Sequence, residues 1–160
     1  MTVTIRPAAP ADIEALGRLG AMLVQVHHAF DPRRFIAPTP QTPGRYGGFL
    51  AGQLKRKDAL VLAAEEDGAV VGYAYAGLEG NDWLTLRGPA GVIYDLMVDP
   101  ARRRRGVGLR LLTETIDALR RLGAPQVMLS TAQPNAAAQK LFAKAGFRPT
   151  LIEMTRELAG

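Results

Sequence analysis

The chain has 160 residues, with 20 Lys plus Arg, 15 Asp plus Glu, two His and no Cys, for a formal net charge of +5. That length suits a single domain with its own core, and the lack of Cys excludes a disulfide framework, a thiolate nucleophile and a zinc site built on sulfur. With two adjacent His, a His-rich metal site is not expected either, and no apolar run approaches the ~20 residues that span a bilayer.

The start, MTVTIRPAAPADIEAL, carries an early acid and no apolar h-region. A cytoplasmic chain without leader or membrane partner is expected. Residues 3–6 read as a short strand closed by Pro7. Across 11–29, Ile13, Leu16, Leu19, Leu23 and Val26 recur at helical spacing. The stretch 31–44 holds four prolines and reads as an ordered surface connection. A second helix is predicted near 43–56, weakened by Gly44, Gly47, Gly48 and Gly52. Strand-like runs at 59–64 and 69–76 flank Glu65-Glu66-Asp67-Gly68, a hairpin signal. Residues 77–90 read as loop. The run 92–98 is apolar apart from Tyr94 and Asp95, and Asp99-Pro100 ends it.

Residues 106–122 place Leu109, Leu112, Ile116 and Leu119 on one helical stripe, stopped by Gly123 and Pro125. A buried strand is predicted over 126–131 and a helix over 135–145, ended by Gly146. One or two closing strands are expected within 147–158, divided at Pro149. The result is an α/β arrangement with at least one parallel crossover pair.

The charge is focused. Without the four consecutive arginines at 102–105, the remaining 16 basic residues face 15 acidic ones. A nucleic-acid binder spreads its cations along a face, so no nucleic-acid partner is expected; one compact cluster suits a small polyanion. That cluster lies in VIYDLMVDPARRRRGVGLRLL, where a strand, a basic turn, Gly106-x-Gly108 and an amphipathic helix follow one another. A helix N-terminus offers unpaired N–H groups and a positive dipole end to an anion. Glycines there admit close backbone approach, and arginines add bidentate bonds. The stretch reads as a pyrophosphate cradle, against the alternative of a solvated basic turn. It is neither a P-loop, which needs G-x-x-x-x-G-K-[ST], nor the dinucleotide fingerprint, because Leu111 stands at the last glycine.

RRRGVG, preceded by YDLMVDP, resembles the acetyl-CoA signature (Q/R-x-x-G-x-G/A) of the GNAT superfamily of N-acetyltransferases. TVTIRPAAPADIEAL is similar to that family's first strand and helix, and NAAAQKLFAKAGF to its later helix and Gly-Phe strand entry. The resemblance implies a mixed sheet, flanked by about four helices and splayed between the strands at 92–98 and 126–131. Acetyl-CoA would enter that gap, its pyrophosphate on Arg103, Arg104, Arg105, Gly106, Val107 and Gly108, and its pantetheine beside Met97 and Val98. Asn135 would touch the cofactor arm; as a residue at a helix start it also reads as an N-cap.

The implied reaction is direct attack of a primary amine on the thioester within a ternary complex. Asp95, an acid inside a largely apolar strand, is the candidate base, since burial raises a carboxyl pKa; its other reading is a paired structural acid. Tyr94, where some relatives carry Glu, is the alternative position. The Val98 N–H would stabilise the oxyanion. Where many relatives place a Tyr that protonates the leaving sulfur, this chain has Phe142, which packs on pantetheine or in the core. His27, His28, Tyr46 and Trp83 are candidates for the acceptor mouth. The histidines also suit a helix C-terminus, and Trp83 a contact surface or the core. A non-catalytic acyl-CoA sensor on the same fold is the second functional reading, and pairing of closing strands between two copies would give a homodimer.

Overall fold

The computed structural model describes residues 2–103 and 105–158. Five strands form one sheet in the order β1 (Val3–Pro7), β2 (Ala59–Glu66), β3 (Ala69–Glu79), β4 (Ala90–Val98) and β5 (Val127–Leu129). The first four pair antiparallel, and β5 joins β4 in parallel, so the sheet is mixed. The helices are α1 (Ile13–Phe30), α2 (Thr42–Gln53), α3 (Val107–Arg121) and α4 (Ala136–Lys144).

Alternation along the strands divides the core between the two faces. Tyr73 and Tyr75 of β3 pack with Leu16, Leu19 and Leu50 under α1 and α2. Ala74 and Val71 face α3 with Val107 and Leu111. Small residues at Gly72, Ala74 and Ala76 let α3 lie close on the sheet; a Cβ on Gly72 would come within 3.2 Å of Leu111 Cδ1 on α3. The hairpin between β2 and β3 turns on Asp67 (φ 52°) and Gly68 (φ 78°), the left-handed pair that matches strand twist in a two-residue turn.

A salt bridge ties β1 to the entry of α1. Arg6 reaches Asp12 through two bonds of 2.8 and 3.0 Å, and Asp12 also accepts the Ala9 N–H at 2.7 Å. The bond from Arg6 holds the Asp12 carboxyl below the usual aspartate range, with the Ala9 N–H adding to it against desolvation. A depressed folded pKa contributes stability that is present above the unfolded value of about 3.9 and is lost as pH falls through the folded one. Asp12→Asn is therefore expected to lower stability by about 1–3 kcal/mol at neutral pH. In urea melts at successive pH values, that difference should shrink below about pH 4.

Three sequence expectations are corrected. Residues 147–158 form no strand: they carry no regular secondary structure and are largely exposed, with Arg34 bonded to Glu153 and Arg33 near Glu157. A strand exists only with a ladder partner, and none of the described strands pairs with this segment. Residues 77–90 are not all loop. β3 continues to Glu79, β4 begins at Ala90, and Asp82 and Arg87 bridge between them. The strand predicted over 126–131 is shortened to Val127–Leu129.

Candidate active site

The site begins where β4 and β5 part. Their pairing runs from Gly91↔Val127 to Ile93↔Leu129, after which β5 ends while β4 continues for five residues. Beyond Ile93 the β5-facing edge of β4 is therefore free of a strand, among the described residues. Its Val98 carbonyl accepts the Arg103 Nε–H at 3.3 Å, whereas the Met97 carbonyl turns toward Gly72 on β3.

A bulge sits at the same point. Opposite β3, Tyr75 pairs with Asp95 but Ala76 pairs with Ile93, leaving Tyr94 as the extra residue. A bulge resets the side-chain alternation. Ile93 packs with Leu112 and Leu119 on the α3 side, while Asp95 turns to the α1–α2 side. In a regular strand Ile93 and Asp95, two positions apart, would share a face.

Asp95 is 9% exposed and is held by two phenols: Tyr46 donates to its Oδ2 at 2.6 Å and Tyr73 to the same oxygen at 2.9 Å. Burial pushes its pKa above the ordinary aspartate value, with both phenol bonds and the charge at His27 opposing the shift. The same burial, and the Asp95 charge, push the Tyr46 and Tyr73 phenols up. They stay protonated and act as donors. Tyr94 tilts against Tyr75 at 4.8 Å between ring centres and donates to Glu79. Asp95, Tyr94 and His27 share a cavity of about 210 Å³ with Leu23, Phe35 and Ile36. His27 donates through Nδ1 to the Leu23 carbonyl at 2.8 Å.

Glycines bring Tyr46 to Asp95. α1 and α2 cross where Gly17 and Gly20 face Pro43, Tyr46 and Gly47; a Cβ on Gly17 would lie 2.3 Å from the Pro43 carbonyl oxygen, and one on Gly20 2.2 Å from Tyr46 Cδ1. Gly20→Ala must push the Tyr46 ring away. Overpacking of this kind costs about 1–3 kcal/mol. Since the Tyr46 bond lowers the Asp95 pKa, its loss is expected to raise that pKa further, read by carbon NMR titration of the Asp95 carboxyl.

The basic turn lies at the other end of the open edge. Gly106 precedes α3 at φ +74°, a left-handed conformation, and among the described residues, its chain neighbours aside, nothing lies within 4 Å of the position a Cβ would take. Val107 is buried against the sheet, and Gly108 faces Leu141 and Val98, so the first turn of α3 is anchored beside the end of β4. The four arginines are not equivalent. Glu66, 2% exposed at the end of β2, takes Arg102 and also Arg105 at 3.1 Å. Arg103 lies along the open edge, and Arg104 falls outside the described residues.

The remaining predicted residues separate from the cavity. Asn135 is the N-cap of α4, its Oδ1 accepting the Ala138 N–H at 3.1 Å. Phe142 packs on the α3 side near Leu129, with its ring 6.0 Å from Phe147. His28 bonds the Phe35 carbonyl at 3.0 Å and does not line the cavity. Trp83 is 79% exposed on the loop between β3 and β4.

The family model described as the Acetyltransferase (GNAT) family matches residues 23–147. The chain belongs to the GNAT acetyltransferase family. It is 34% identical over 95 residues to a mycothiol acetyltransferase of Clavibacter michiganensis, covering 59% of this chain and 28% of that protein. It is also 34% identical over 113 residues to the L-methionine sulfoximine/L-methionine sulfone acetyltransferase of Salmonella typhimurium, covering 70% of this chain and 63% of that one. The chain thus spans less than two thirds of either relative. A Clostridium acetobutylicum protein described as a predicted acetyltransferase, solved with acetyl-CoA, superposes with a TM-score of 0.74 at 16% identity over 98% of this chain and 97% of that one.

Two parts of this GNAT site were not foreseen. Glu66 read as part of a turn, although it is an acid beside the arginines only in three dimensions. Phe35 and Ile36 lie in the proline-rich connection, where no periodicity marks them.

Proposed function

We propose that this protein is an acetyl-CoA-dependent N-acetyltransferase that passes the acetyl group directly to a primary amine. The observation that carries the proposal is the free edge of β4, flanked at one end by the glycine turn opening α3 and at the other by buried Asp95 beside a cavity. Main-chain groups along such an edge can pair with an extended amide chain as a further strand would. The pantetheine arm is such a chain, with Val98 as its partner and Met97 lining the strand. The N-terminus of α3 attracts anions through its unpaired N–H groups and dipole. The CoA diphosphate would lie over Gly106, Val107 and Gly108, with Arg103 and Arg105 beside it.

Within that arrangement the amine nitrogen attacks the thioester carbonyl and the CoA thiol leaves. Asp95 accepts the proton the amine must lose; its raised pKa brings it nearer to that of a useful base. Tyr46 and Tyr73 fix the carboxylate's orientation. The Val98 N–H stabilises the oxyanion as the carbonyl becomes tetrahedral. Phe142 offers no proton to the sulfur, and a thiolate of pKa about 8.5 departs without one. Asn135 shapes the cleft by starting α4.

The test is a thermal melt with acetyl-CoA, followed by an assay of CoA thiol release across a panel of amines. A ligand that binds only the folded state raises the melting temperature, so a shift and turnover are both expected. No shift at saturating acetyl-CoA overturns the reading. A shift without turnover of any amine points instead to an acyl-CoA sensor, the outcome that the lack of a hydroxyl at Phe142 favours.

A further inference from the structure

Resting on acetyl transfer at this cleft, we infer that the acceptor is a small primary amine with a compact apolar or aromatic body and no acidic substituent. The cavity beside Asp95 measures about 210 Å³. It lies below the range of about 300–1,000 Å³ usual for drug-sized ligands, so the body it holds is small. Leu23, Val24, Phe35 and Ile36 supply apolar walls, and Tyr94 and His27 supply rings. One carboxylate, Asp95, faces this space, and none of its lining residues is Lys or Arg among the described residues.

The cations around the cavity are already engaged: His27, in its wall, spends its Nδ1–H on the Leu23 carbonyl, and Arg56 is bonded to Asp58. Arg34 stands 4.8 Å over the Phe35 ring, but both its Nε and Nη2 are bonded to the Glu153 carboxylate. Arg87 is bonded to Glu79, the acceptor for Tyr94. An amine entering here meets an acid for its charge and aromatic faces that attract cations. A carboxylate or phosphate on the same molecule would face the Asp95 carboxylate with no Lys or Arg in the wall and the His27 ring alone to oppose it, which costs heavily. The cavity therefore selects against amino acids and sugar phosphates by charge, and for an apolar body by its walls.

The experiment compares 2-phenylethylamine with L-phenylalanine, which has the same body plus a carboxylate, and with L-methionine sulfone. Initial rates of thiol release are measured at saturating acetyl-CoA, and binding of each compound is followed by calorimetry in the presence of CoA. 2-Phenylethylamine is expected to bind, and its kcat/KM to exceed that of phenylalanine by about 100-fold or more, the penalty of a charge left unpaired. Ile36→Arg, at an exposed position on the cavity wall, supplies the missing cation and is expected to narrow that gap at least about tenfold.

Equal or better use of phenylalanine or methionine sulfone overturns the inference, as does a gap that Ile36→Arg leaves unchanged. Failure of 2-phenylethylamine to bind in calorimetry also overturns it. Binding that Ile36→Arg weakens, with no turnover of any compound, overturns acetyl transfer and leaves the chemistry of the cavity standing.

Discussion

Asp95→Asn is expected to lower kcat for amine acetylation by about 10²–10³-fold while the affinity for acetyl-CoA stays within about twofold, since general base catalysis typically contributes 10²–10⁴-fold. The variant keeps the shape of the side chain and an oxygen for Tyr46 and Tyr73 to address, so the two phenol bonds of 2.6 and 2.9 Å can persist. What it loses is a group able to hold a proton. The pH dependence separates this role from a structural one. In the wild type Asp95 must be ionised to work, so kcat falls as pH drops through its raised pKa. That acidic limb should vanish in Asp95→Asn.

Stability should move the other way. Burial raises the folded pKa of Asp95 above its unfolded value. The stabilising contribution of its proton is then fully present below the unfolded pKa and is lost as pH rises through the folded one. At neutral pH the ionised carboxylate is a cost, so replacing it by a neutral amide should not lower the melting temperature. A slower enzyme with an undiminished melting temperature marks Asp95 as a base. Full turnover in the variant removes it from the mechanism.

The elements with strong local signals were legible from sequence, and those that depend on a distant partner were not. α3 is specified by its own stripe of Leu109, Leu112, Ile116 and Leu119 and by Gly123 beyond its end, and it forms over Val107–Arg121. The hairpin at Asp67-Gly68 is equally local, because both residues must adopt positive φ. By contrast, the glycines of α2 read only as a weakness. Gly47 alone of them lies in a seam with α1, where Gly17 and Gly20 seat Tyr46 against an acid 49 positions further on.

The same distinction explains the basic turn. Four adjacent arginines look alike in a sequence, yet Glu66, 36 residues before Arg102, takes two of them from the other side of the hairpin. The expected closing strands failed for want of a neighbour. Phe147 and Ile152 have strand-forming character, but strand pairing is a property of two segments, and none of the described strands pairs with 147–158. The bulge at Tyr94 is likewise invisible in one strand alone. It exists as a mismatch between Tyr75↔Asp95 and Ala76↔Ile93, and on it depends the face to which Asp95 turns.

At the opposite end of the cleft, Gly106→Ala is expected to raise the KM for acetyl-CoA by about tenfold or more with kcat nearly unchanged. Gly106 adopts φ +74° immediately before α3. An Ala forced into the left-handed region costs roughly 1–2 kcal/mol, the equivalent of about tenfold in an equilibrium if the turn must relax to form the complex. Among the described residues, its chain neighbours aside, no atom lies within 4 Å of the added methyl. The methyl would instead project where a diphosphate needs close approach to the N–H groups of Val107 and Gly108. Because Asp95 lies at the other end of the open edge, at the bulge, the proposed base is untouched and bound substrate should turn over at the wild-type rate. The kinetic split is thus the mirror image of that for Asp95→Asn: one substitution acts on KM, the other on kcat. Steady-state kinetics with acetyl-CoA varied, together with thermal melts in its absence, decide the matter. A fall in melting temperature with unchanged KM would assign Gly106 to the fold alone and move the diphosphate off this turn.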